Sequence, residues 1–141
     1  MKPEKDINKI GLTKDSGYQV GARKTYAVSI EEAWDFLVSE RGLNLWLGTI
    51  NPEVIKVKKT FETAEAAQGK MTVFSPYSHL RMKWQPAGWQ HNSTLQIRVI
   101  PSKGKTTISV HQDHLLNSAQ REEMKAHWQQ VLEMFKKELP C

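Results

Sequence analysis

Between Ser118 and Glu138 the residues Met124, Trp128, Val131, Leu132 and Phe135 recur at helical spacing and form one wide apolar stripe. Asn117 with Gln120 supplies an N-terminal cap, and Pro140 ends the segment. A helix of that length, about 30 Å by its rise per residue, exposes too much apolar surface to stand alone. It needs a broad partner layer, and the rest of the chain offers strands for one.

The alternation is clearest in Leu80, Met82 and Trp84 and again in Leu95, Ile97 and Val99, with polar or basic residues between. One face of these strands is therefore buried and the other wet. Strands are predicted at about Gly17–Val28, Glu53–Phe61, Gly69–Ser75, Tyr77–Trp84, Ser93–Ile100 and Lys105–His114. Pro86-Ala87-Gly88 and Pro101-Ser102-Lys103-Gly104 mark turns, the second short enough to join antiparallel neighbours. Asn51-Pro52 is read as a further turn. After the first strand, Ser29 and Glu32 form a capping box ahead of Ile30, Ala33, Trp34 and Leu37, and Gly42 lets the chain leave that helix. A second short helix is predicted over Leu43–Leu47, closed by Gly48.

Strands in a run with helices set to one side define an α+β fold with an antiparallel sheet. A twisted sheet curling around the long helix leaves a concave space in which a ligand can sit. No repeat or linker divides the 141 residues, so a single domain over 17–141 is expected, preceded by a polar extension over 1–16. Five Trp, four Phe and three Tyr are ample for one core.

Several function classes have no support. The first twenty residues are too charged for a signal peptide, and no apolar stretch approaches the length of a membrane span, which makes the cytoplasm the expected location. A lone Cys141 makes no internal disulfide. The net charge of +5 raises the question of nucleic acid, but Lys56, Lys58 and Lys59 alternate with Val57 as a strand's solvent face would. Lys136 and Lys137 complement the end of the last helix, so no nucleic-acid partner is expected. No phosphate loop, dinucleotide fingerprint, C-x-x-C, H-E-x-x-H or G-x-S-x-G occurs, and no cofactor or metal is expected.

His111, Asp113 and His114 are the densest titratable group. Alternation puts the first two on the outer face and His114 on the other, without a third metal ligand. They are read as a polar strand end. No catalytic residue is assigned.

The segments Val28-Ser29-Ile30-Glu31-Glu32-Ala33-Trp34-Asp35-Phe36-Leu37, Gly42-Leu43-Asn44-Leu45-Trp46-Leu47-Gly48, Gly104 to Val110 and Trp128-Gln129-Gln130-Val131-Leu132 resemble the START-like superfamily, also called SRPBCC or Bet v 1-like. Within it they resemble the activator of heat-shock protein 90 ATPase family, in its C-terminal domain type. The resemblance spans about residues 17 to 139. It implies the helix-grip fold, in which a curved antiparallel sheet wraps a long C-terminal helix over a pocket for lipids, hydrophobic small molecules or aromatic metabolites.

The expected function is non-catalytic binding of an apolar or aromatic small molecule or lipid between helix and sheet. The expected lining is Trp46, Met82, Trp84, Ile97, Val99, Met124, His127, Trp128, Val131 and Phe135. Two other readings stand beside it. One is a protein-interaction or stress-related regulatory module of co-chaperone type; the other is a pocket enzyme of the cyclase, hydrolase or dehydratase type.

Overall fold

A computed structural model describes Leu12–Thr13 and residues 17–141. The polar extension expected over 1–16 lies outside the described residues apart from Leu12–Thr13, which form a short strand β1 paired with the next strand. Strand β2 covers Gly17–Tyr26, followed by helices α1 (Ile30–Leu37), α2 (Glu40–Trp46) and α3 (Pro52–Ile55). Strands β3 (Thr60–Glu62), β4 (Gln68–Ser75), β5 (His79–Gln85), β6 (Ser93–Ser102) and β7 (Lys105–Leu115) come next. The long helix α4 (Ser118–Met134) runs into a 3-10 turn at Phe135–Lys137. The sheet is antiparallel throughout, in the order β1-β2-β7-β6-β5-β4-β3.

This is the α+β helix-grip arrangement, and α4 binds across the first and last long strands. Tyr26 Oη donates to the Leu132 carbonyl (2.6 Å), Lys24 pairs with Glu133 (3.3 Å), and Arg121 Nε donates to the Gln19 carbonyl (3.0 Å). Burial, reinforced by Cys141 and Glu133, pushes the Tyr26 hydroxyl well up, so it stays a donor. The core is one cluster that joins the α4 stripe to Leu80, Met82, Leu95, Ile97, Val99, Ile108 and Val110.

Both predicted caps are present. Ser29 and Glu32 complete the capping box of α1, and the Asn117 side chain accepts from the Gln120 backbone N–H (2.8 Å). In return Gln120 accepts from the Leu116 N–H (2.8 Å).

Six local expectations need correction. Glu53–Phe61 is not one strand: the Asn51 side chain accepts from Glu53 N–H (2.9 Å) and Pro52 takes the first helical position, which starts α3 and leaves only Thr60–Glu62 extended. Lys56 therefore caps α3 and pairs with Glu53, and Lys58 and Lys59 lie in the bend after it. Gly42 does not end the first helix, which stops at Leu37; it sits buried inside α2, whose cap is Ser39. The second helix accordingly starts earlier than predicted, at Glu40.

Strand β5 starts at His79 rather than Tyr77, because Ser75-Pro76-Tyr77-Ser78 is a hairpin turn with Tyr77 at φ 63° and a Ser78 N–H to Ser75 carbonyl bond (3.0 Å). Tyr77 holds that left-handed conformation while donating to Asp35 (3.1 Å) and packing its ring on Trp34. Finally, His114 does not turn away from Asp113. Its φ of 63° breaks the alternation, and Nδ1 meets Thr94 Oγ1 (3.1 Å), the residue paired with Asp113 on the outer face.

Candidate functional site

A cleft of about 380 Å³ opens where the middle of α4 meets the sheet, lined by Asn44–Gly48, Glu65, Ala67, Trp84, Pro86, Ala87, Met124 and His127. Four separate segments build it, and hydrogen bonds fix the first two. Trp46 Nε1 donates to the Leu37 carbonyl (2.9 Å), fixing the end of α2 against α1. Past α2, Thr49 donates through its backbone N–H (2.8 Å) and its hydroxyl (2.6 Å) to the two oxygens of Glu65, tying the loop to the β3–β4 hairpin. These bonds hold the Glu65 carboxyl below its ordinary value.

Gly48 permits that closure. At φ +140° it occupies backbone space disfavoured for other residues, and a Cβ there would meet Glu65 Oε1 at 2.5 Å and Thr63 Cβ at 3.0 Å. The third wall, Pro86 and Ala87, is the β5–β6 turn. In the fourth, Met124 and His127 lie three apart on α4 and so share one face of it.

At the inner end Trp84 and His127 are backed by the buried Trp128 ring. Trp84 and Trp128 have centroids 5.7 Å apart, and the His127 ring stands edge-on to Trp128 at 4.7 Å and lies 6.4 Å from Trp84. Beneath them runs a fully buried polar chain. Trp128 Nε1 donates to Gln112 Oε1 (2.8 Å), Gln112 Nε2 donates to Ser93 Oγ (2.9 Å), and Ser93 Oγ donates to the Trp84 carbonyl (2.8 Å).

The expected lining thus divides. Trp46, Trp84, Met124 and His127 come together on the cleft. Met82, Ile97, Val99, Trp128, Val131 and Phe135 lie in the buried core rather than on this lining. The reading from sequence missed Gln112 and Ser93. Gln112 was accessible to it, being two residues beyond Val110 on the face that carries Ile108.

The group at the end of β7 is arranged differently. His111 Nε2 meets Gln19 Oε1 (2.7 Å) and lies 3.4 Å from Asp113 Oδ1, on the outer face as expected. No group of three or more His, Cys, Asp or Glu side chains among the described residues is placed to hold a metal ion. Among the same residues no helix is long and apolar enough to cross a membrane.

Burial pushes the His127 imidazole below its ordinary value, against a weaker opposing pull from Glu123. The folded protein therefore binds this proton less readily than the unfolded chain does. The stability linked to His127 is whole above the unfolded value of about 6.5 and declines as pH falls toward the lower folded value. Between about pH 7 and pH 5.5 the thermal midpoint is expected to fall more in the wild type than in His127→Gln, by differential scanning calorimetry. Parallel decreases in the two proteins would remove His127 as the source.

The curved sheet gripping a terminal helix, with its cleft where the two meet, defines a START-like helix-grip protein. Sequence and structure comparison narrows the class. The profile of the Activator of Hsp90 ATPase homolog 1-like protein family matches residues 27–140, and the chain belongs to that family. Among curated proteins none matches.

The crystal structure of CalU16 from Micromonospora echinospora is similar with a TM-score of 0.71 at 17% identity, over 89% of this chain and 79% of that one. PFC0360w, described as an HSP90 activator from Plasmodium falciparum, gives a TM-score of 0.70 at 18% identity, over 86% and 97%. The Aha1 dimer from Colwellia psychrerythraea gives 0.68 at 14% identity, over 86% and 95%. At these identities the likeness establishes the fold.

Proposed function

We propose that the chain binds an apolar or aromatic small molecule in the α4–sheet cleft, without catalysis. The observation that carries this reading is the cleft itself: about 380 Å³, within the range of small-molecule sites, with Leu45, Trp46, Leu47, Ala67, Trp84, Pro86, Ala87 and Met124 supplying apolar lining. Core packing explains Trp128 or Val131 completely, but it does not explain why apolar groups from four segments border an open volume.

Nile red, an uncharged apolar dye, tests the reading by fluorescence titration. Ala87 is exposed in a turn, so Ala87→Trp places a large ring on the cleft wall with little disturbance to the core. Affinity is expected to fall at least about tenfold, the equivalent of some 1.4 kcal/mol. Unchanged affinity with an unchanged thermal midpoint would take the dye, and the proposed function, out of this cleft.

A second reading, a protein-interaction module of co-chaperone type, rests on the outer face of the sheet. Arg41 pairs with Glu138 (3.1 Å) and Arg121 with Glu122 (2.8 Å). By contrast Arg23, Arg81 and Arg98 have no acidic partner among the described residues, and all three lie exposed on that one face. Planar guanidinium groups left free in this way suit carboxylates of a partner protein. PFC0360w is described as an HSP90 activator, which makes Hsp90 the first partner to try. In surface plasmon resonance at low salt, the pair Arg81→Glu and Arg98→Glu is expected to lower Hsp90 affinity at least about tenfold; retention of full affinity argues against this face.

A further inference from the structure

At the cleft's inner end two polar groups lack partners among the described residues. Trp84 is only 4% exposed, and its Nε1–H meets no acceptor among the described residues. The buried Nε2 of His127, whose ring lies 6.4 Å away, has none either. The neighbouring indoles are treated differently by the fold, since Trp46 donates to the Leu37 carbonyl and Trp128 to Gln112. Buried donors in native proteins are nearly always satisfied by the protein, by water or by a ligand, so an unpaired group beside an open cleft calls for a partner from outside.

The rest of the lining limits what that partner is. Among the described residues no Lys or Arg borders the cleft, and the one ionised group is the Glu65 carboxylate. An anionic ligand would find no counter-charge there, and would lose its hydration on entry. A neutral imidazole offers one N–H and one lone pair, and an indole only an N–H. A carbonyl oxygen is uncharged and has two lone pairs, enough for one bond from each ring once the two covered nitrogens turn to the cleft.

We infer that the cleft's ligand is an uncharged, flat, apolar molecule with a carbonyl oxygen, such as an aryl ketone or quinone, held at that oxygen by Trp84 Nε1–H and His127 Nε2–H. This deepens the small-molecule reading and rests on it. The apolar rim selects the body of the ligand, and the two rings select its end group.

Two nearly isosteric probes separate the terms: 2-acetylnaphthalene, with a carbonyl, and 2-isopropenylnaphthalene, with a methylene in its place. Each is titrated into ¹⁵N-labelled protein and followed through the indole N–H resonances. The ketone is expected to bind about tenfold more tightly and to move the Trp84 resonance downfield. In Trp84→Phe the ratio of the two affinities is expected to shrink from about tenfold to about one. The carboxylate 2-naphthoate is expected to bind most weakly.

Equal affinity of ketone and alkene, both weakened by Ala87→Trp, would overturn the carbonyl anchor and leave the cleft as a binding site. Binding of neither probe would overturn both. Because the wild-type resonance reports on the same bond, the conclusion does not depend on the folding of Trp84→Phe.

Discussion

Gln112→Leu is expected to lower the unfolding free energy by roughly 2–4 kcal/mol in urea titration, although it exchanges a polar core residue for an apolar one of similar size. Gln112 has no solvent exposure and joins two bonds, accepting from Trp128 Nε1 and donating to Ser93 Oγ. Leucine breaks both and leaves the Trp128 N–H buried without a partner. The cost is then mainly desolvation of groups left behind, and it diminishes when those groups are removed as well. Trp128→Phe combined with Gln112→Leu is accordingly expected to cost less than the sum of the single changes, by about 0.5–3 kcal/mol. Strict additivity would show that Trp128 and Gln112 do not act as a connected unit.

Gly42→Ala is the second large effect. Glycine within a helix is ordinarily improved by alanine, by up to about 1 kcal/mol. Here the sign reverses. A Cβ on Gly42 would overlap the Phe36 carbonyl oxygen and come within 2.9 Å of its carbon, so α2 and the end of α1 would have to separate. That obstacle is backbone, not a side chain that can rotate away. A loss of about 3 kcal/mol is expected, at the upper end of overpacking penalties, measured as a lower denaturant midpoint. A gain in stability would mean that the two helices reposition freely.

Both effects bear on what a sequence discloses. The long helix, the alternation of β5, β6 and β7 and the two side-chain caps were legible because each is a local pattern with one physical solution. Gln112 obeyed the same alternation as Ile108 and Val110, but a hydrophobic period recruits only apolar residues and passes over an amide in their row. Asn51-Pro52 has two solutions, a turn and a helix start. The choice belongs to a side-chain bond from Asn51 that composition does not contain. The divide within the expected site has another origin: Trp84 and Val131 both face inward, and which of them borders open space depends on how α2, the β3–β4 hairpin and the β5–β6 turn approach one another. The likeness in residues 28–37, 42–48, 104–110 and 128–132 pointed to the family and the fold, and the family profile over 27–140 agrees.

The sheet order has a consequence for how the protein comes to exist. Strand β2 is bonded along its length to β7, from Tyr18 opposite Leu115 to Tyr26 opposite Thr106. Its other neighbour is the two-residue β1. On a ribosome, the first long strand thus waits through the synthesis of about ninety further residues before its edge is covered, whereas β4 to β7 pair with immediate neighbours as they emerge. The meander is then the early template, and the join of β2 with β7 and α4 is the late step that locks the grip. A chain stopped at residue 104 is expected to leave the β2 amides unprotected in hydrogen exchange, with the vulnerable period of the protein's life concentrated at its own beginning.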